Sequence, residues 1–143
     1  EMGVEKVELS QLLEESDSIS IHCPSTPETH HMFNSDAFRA MKKTAFLINT
    51  ARGDIIDEAA LIAALEQNVI AGAGLDVFER EPISKNSPLL HMPNVIATPH
   101  SAWYTEESIK ALQRSVGEEV VRVLGGNPPL HPCNIAALKK YGF

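Results

Sequence analysis

The chain has 143 residues, which suits one domain, and 43% of them are apolar, enough to bury a core. Acidic side chains outnumber basic ones 19 to 12, and a net charge of −7 repels phosphate backbones, which argues against nucleic acid as a partner. The longest unbroken apolar run, Ala59 to Leu65, is too short to span a bilayer, which argues against a membrane span.

No basic leader followed by an apolar stretch opens the chain, so nothing argues for secretion. Cys23 and Cys133 are far apart and form no C-x-x-C pair, and a reduced, cytoplasmic setting is expected. The chain opens on Glu1-Met2-Gly3, and Val4 to Val7 reads as an apolar segment entered in mid-fold. The expectation is a chain that was cut, or expressed as a fragment.

In chain order, Ser10 can cap a short helix through Leu13 and Ser16, and Ser18 to His22 reads as a strand. Asn34 or Ser35 can cap a second helix over Ala37, Phe38 and Met41. Ala45 to Asn49 is short and nearly all apolar, as expected for a strand covered on both faces. Asp57 caps a third helix, Glu58 to Gln67, with Leu61, Ile62 and Leu65 on one side. Ala71 to Val77 and Val95 to Thr98 are the next strands, separated by a long proline-containing loop, Glu79 to Pro93. A long helix starts near Thr105, with Ile109, Leu112, Val116, Val120 and Val123 at spacings of three and four, and Gly125-Gly126 stops it. Strands alternating with helices imply an α/β fold with a parallel sheet.

In such sheets ligands bind outside the carboxyl ends of the strands. The expected strand ends deliver His22-Cys23-Pro24, then Thr50-Ala51-Arg52, then Asp76, then Thr98-Pro99-His100 to one edge. Arg52 offers a rigid donor fork that suits a carboxylate, although a surface arginine in a turn would look the same. His100 is a candidate acid or base, and Glu81 a candidate partner that would favour its imidazolium form. Each taken alone has an ordinary structural reading. Gly72 and Gly74 put almost no side chain on one strand, which fits either a ligand close to the backbone or tight packing. Cys23 reads as a small buried residue. His30-His31 has no further ligand at metal spacing and reads as a surface pair, so no metal is expected. The eight glycines contain no G-x-G-x-x-G.

Asn49-Thr50-Ala51-Arg52-Gly53, Gly74 to Pro82 and Thr98-Pro99-His100 together resemble the signature of the D-isomer-specific 2-hydroxyacid dehydrogenases. His22-Cys23-Pro24 with Thr26, Pro27, Glu28 and Thr29 resembles that family's cofactor loop. The resemblance runs from Val7 to Asn134. It implies a Rossmann-type parallel sheet, with residues 1–126 as the second half of an NAD-binding domain. Residues 127–143 would then be the linker and return segment to a substrate domain.

The resemblance also implies roles. Arg52 would bind the substrate's carboxylate and carbonyl, and His100, paired with Glu81, would be the proton donor. Asp76 would hold the nicotinamide carboxamide, and Thr50 and Ala51 would meet the cofactor through backbone. His22, Cys23, Pro24, Thr26 and Thr29 would line the cofactor's ribose and phosphate side. Ser101-Ala102-Trp103-Tyr104 resembles a narrower branch, that of the C-terminal-binding-protein corepressors and their phosphoglycerate-dehydrogenase-like relatives, with Trp103 as a pocket wall. The cofactor implied is NAD, with NADP as the alternative, and the substrate a small 2-hydroxy or 2-keto acid. A homodimer is implied for the full-length protein. A non-catalytic NAD-sensing module of the corepressor type carries the same motifs, so it stands as the alternative to an enzyme.

Overall fold

The computed structural model describes residues 3–134, 138 and 140. Its contacts separate two compact units, Glu1–Ala102 and Trp103–Phe143. In the first unit, α1 (Leu9–Glu15), β1 (Ser18–Ile21), α2 (Ser35–Ala40) and β2 (Phe46–Asn49) are followed by a 3-10 turn, Gly53–Ile55. Then come α3 (Glu58–Glu66), β3 (Gly72–Leu75), a second 3-10 turn, Pro88–Leu90, and β4 (Val95–Ala97). The four strands form one parallel sheet in the order β1-β2-β3-β4. This is the α/β fold with a parallel sheet that the alternation of elements implied, of the Rossmann type that the resemblance implied.

Local chemistry sets most of the boundaries. The side chain of Asn34 accepts the amides of Asp36 and Ala37, and that of Asp57 accepts the amide of Ala60, so both act as helix caps. Ser10 does not cap α1. The capping position falls on Glu8, which holds the extended conformation that a cap requires but makes no side-chain bond, and Ser10 lies inside the first turn.

Register gathers the core on one face. Ile19, Leu47 and Ala73 stand side by side, as do Ile21, Asn49 and Leu75, and all six are buried. All but Asn49 join Phe38, Leu61 and Leu65 from α2 and α3 in a single apolar cluster. The opposite face corrects the expectation for β2. Phe46 is 50% exposed and Ile96, in register with Gly74 and Ile48, is 73% exposed. Within the first unit, the helices put their buried residues into one cluster and so cover one face of β2.

Gly72 is required by packing. A Cβ there would come within 2.6 Å of the Asn94 carbonyl, whereas at Gly74 it would meet only Ile48 at 3.9 Å. In the second unit, Thr105 caps α4 (Glu106–Leu124) through the amide of Ser108, and Gly125 ends it. Its apolar stripe is exposed at Leu112, Val116 and Val120. The Leu130 amide donates to Glu119 of α4 at 2.7 Å. The expected opening residues Glu1-Met2, and most of the expected return segment beyond Asn134, lie outside the described residues.

Candidate active site

Parallel strands all point their carboxyl ends the same way, so the turns that follow β1, β2, β3 and β4 come to one edge of the sheet. The turn after β1 is built from its own threonines. The Thr26 amide donates to Thr29 Oγ1 at 2.8 Å, and the Thr29 hydroxyl donates to the Pro24 carbonyl at 2.8 Å. Cys23 is half-buried against the core, and His22 is exposed, with its ring 2.8 Å from the Ser20 hydroxyl.

Beyond β2, Asn49 is a fully buried polar residue at the end of an apolar strand. Its amide group donates to the Arg52 carbonyl at 2.8 Å, and its side-chain oxygen accepts the Ala51 amide at 3.0 Å. One side chain thereby shapes the turn through Thr50, Ala51 and Arg52. Thr50 and Arg52 are exposed; the guanidinium donates to the Ala51 carbonyl, and among the described residues no carboxylate pairs with it. Gly53 follows, and a Cβ on it would lie 1.9 Å from the carbonyl carbon of Phe78. The backbone after β3 therefore runs directly against the turn after β2, and only glycine leaves room.

Asp76, just past β3, is 3% exposed. It accepts the Thr98 hydroxyl and the amides of Ser101 and Ala102, the last two at 2.8 Å. Burial alone would raise its pKa. The Thr98 hydroxyl, the two amides and the nearby His100 outweigh that, and hold the carboxyl below the usual range. The Asp76 carbonyl also accepts the His100 amide at 2.9 Å. His100 is thus held at φ +53, a left-handed conformation uncommon for a non-glycine residue and characteristic of functional turns.

His100 Nδ1 lies 2.7 Å from Glu81 Oε2, and Glu81 Oε1 accepts the Phe78 amide at 3.1 Å. The bond to His100 and then the Phe78 amide lower the Glu81 pKa, so Glu81 is a carboxylate that accepts from an Nδ1–H. Asp76, Glu81 and His100 share the wall of a cavity of about 550 Å³ with the apolar residues Phe78, Ile83 and Leu90. Arg52 is not part of that wall. Trp103 falls in the second unit, 51% exposed, with its ring edge-on to Tyr104 at 5.2 Å.

Three residues of the site had no role assigned from sequence: Asn49, Thr98 and His31. The first had a visible signal, a polar residue ending an apolar strand. Thr98 had none apart from its place before Pro99. His31, read from sequence as a surface residue, pairs through Nε2 with Glu79 Oε1.

The family model for the D-isomer specific 2-hydroxyacid dehydrogenase, NAD binding domain, matches residues 1–102. A glyoxylate reductase of Korarchaeum cryptofilum is 45% identical over 139 residues, covering 97% of this chain and 42% of that protein. A glyoxylate/hydroxypyruvate reductase B of Cronobacter sakazakii is 46% identical over 132 residues, covering 92% of this chain and 41% of that protein. The crystal structure of the NAD-complexed D-isomer specific 2-hydroxyacid dehydrogenase of Lactobacillus delbrueckii ssp. bulgaricus superposes with a TM-score of 0.78 at 36% identity. That superposition covers 87% of this chain and 41% of the other. The chain spans about two fifths of the length of the curated relatives it matches. These relatives are reductases, and they lend no support to the narrower corepressor branch.

Proposed function

Because the chain belongs to the D-isomer specific 2-hydroxyacid dehydrogenases, we propose that it carries the acid and the substrate anchor of a nicotinamide-dependent oxidoreductase. The reaction is the interconversion of D-2-hydroxy acids and 2-keto acids. The observation that carries this reading is the Glu81–His100 bond, made at the carboxyl edge of a parallel sheet and backed by Asp76.

The residues fit the nicotinamide end of a dinucleotide. The turn of Cys23 to Thr29 is ordered by its own hydroxyls, and Thr50 is exposed at the same edge of the sheet. Cys23, Pro24, Thr26, Thr29, Thr50, Ala51 and Asp76 are the residues that would hold it, with His22 at the rim. NAD, or NADP in its place, supplies the hydride when bound.

In reduction, Arg52 binds the carboxylate of the keto acid and draws electron density toward its carbonyl oxygen. His100, protonated and oriented by Glu81 through Nδ1, gives the proton on Nε2 to the forming alkoxide. In oxidation the neutral ring takes that proton back, and Glu81 stabilises the resulting imidazolium. The substrate is a small 2-keto acid, for which the names of the relatives point to glyoxylate or hydroxypyruvate. A cytoplasmic homodimer for the full-length protein is part of the proposal, with no partner beyond small molecules.

The test is an assay of the full-length protein for NADH- and NADPH-dependent reduction of glyoxylate, hydroxypyruvate and pyruvate. Turnover that disappears in His100→Ala supports the reading. NADH binding without turnover of any 2-keto acid overturns it in favour of a cofactor-sensing module. Light scattering on the same sample tests the dimer.

A further inference from the structure

Phe78 is buried in the core, but Glu79, Arg80, Glu81 and Pro82 are all exposed, so past Phe78 the turn depends on polar contacts. The turn is fastened at Glu79. Its carboxylate pairs with His31, which closes the turn after β1. Its amide donates to Glu58 Oε2 at 3.4 Å, in the first turn of α3. Glu58 is partly buried, and burial raises its pKa, with the Glu79 amide opposing that shift and the Glu79 charge adding to it. The backbone of Phe78 and Glu79 is pressed against Gly53, as the Cβ clash there shows.

His31 is itself held tightly. It sits at φ +50, its amide donates to the Asp54 carbonyl at 2.9 Å, and its ring stacks on His30 with centroids 4.0 Å apart. The Asp54 carboxylate is occupied by the Ser25 hydroxyl at 2.6 Å. The groups facing the His31–Glu79 pair are therefore Glu58, His30 and the Asp54 backbone. Such a network links the cofactor turn, the Arg52 turn and the acid turn at one point.

We propose that His31 and Glu79 are positioning residues, which hold the 78–81 turn so that Glu81 meets His100. The proposal rests on the catalytic reading of Glu81 and His100, but it concerns residues that touch neither substrate nor the reacting atoms. A side chain displaced by about 1 Å can cost on the order of 100-fold in rate, so a brace of this kind bears directly on turnover.

The test uses the full-length protein and the variants His31→Gln, Glu79→Gln, the double variant, and Arg80→Gln as a neighbouring control. Two readouts are taken: glyoxylate reduction against pH, and the titration of His100 followed by NMR. In both single variants kcat should fall by about 10- to 100-fold, and the His100 pKa should move down as the Glu81 contact loosens. The double variant should be no worse than the more severe single one, since both remove the same tie.

Charge alone predicts otherwise. Removing the Glu79 carboxylate would lower the His100 pKa, but removing His31 would leave it unchanged or raise it. A downward shift in both variants therefore marks positioning. Folded variants with parental His100 titration would overturn the proposal, and so would a shift in Glu79→Gln only. If the parent itself turns over no keto acid, the functional reading fails, while the NMR titration still decides the positioning. Should His31→Gln fold poorly at its left-handed backbone, His31→Gly removes the ring without that strain.

Discussion

Glu81 and His100 stand 19 positions apart in the chain and meet at 2.7 Å, with Oε2 facing Nδ1. Glu81 is held below its usual pKa, first by the bond to His100 and then by the Phe78 amide. The bond therefore joins a carboxylate to the Nδ1–H of the ring.

Replacing Glu81 by Gln removes the charge and keeps the shape. Reduction needs the protonated ring, so activity should decline at lower pH than in the parent. His100→Ala should cost on the order of 10²–10⁴ in rate. Rate profiles of glyoxylate reduction against pH check both; an unshifted profile in the Gln variant would show that the two groups are uncoupled.

Arg52 is exposed and paired with no carboxylate among the described residues. Arg52→Lys should raise the KM for the keto acid by an order of magnitude or so, since an ammonium cannot reproduce bidentate geometry. NADH affinity should change little. Steady-state kinetics with each substrate varied in turn separates the two, and a loss confined to NADH would assign Arg52 to the cofactor.

Asp76 accepts three donors in a buried position. Asp76→Asn turns a donor toward one of those amides and should lower unfolding stability by about 1–3 kcal/mol. The sign with pH follows from its lowered folded pKa. The contribution is fully present above the ordinary carboxylate range, and is lost as pH falls through the folded value. Urea unfolding at neutral pH and near pH 3 measures this, and the gap between parent and variant should narrow in acid.

Gly53 faces the Phe78 carbonyl at a distance no Cβ can share. Gly53→Ala should destabilise the fold by at least about 1–3 kcal/mol, because backbone and not a flexible side chain must move. It should also harm reduction beyond the stability loss, since the displaced backbone leads into Glu81. Thermal unfolding with activity measured well below the transition tests both parts; a fully stable, fully active Ala variant would contradict the geometry.

The 143-residue chain has no G-x-G-x-x-G, the sequence that places a helix N-terminus on the pyrophosphate. Alone, it should bind NADH far more weakly than the full-length protein. Fluorescence titration of both checks this, and low-micromolar binding by the chain alone would refute it.

Much of the molecule is legible locally. Asn34 and Asp57 declare their helices because a cap bonds amides two or three residues ahead. The parallel sheet follows from alternating strands and helices. From that sheet it follows in turn that Arg52, Asp76 and His100 leave successive strands at the same edge. What the tertiary structure alone decided is which distant groups touch. His31 meets Glu79 across 48 positions, a pair that nothing in the sequence marked. Asp76 accepts the amides of Ser101 and Ala102 in the turn around His100. Periodicity and capping act within a few residues, whereas these pairings depend on strand order, register and the path of each connecting turn, and no short stretch of sequence contains those.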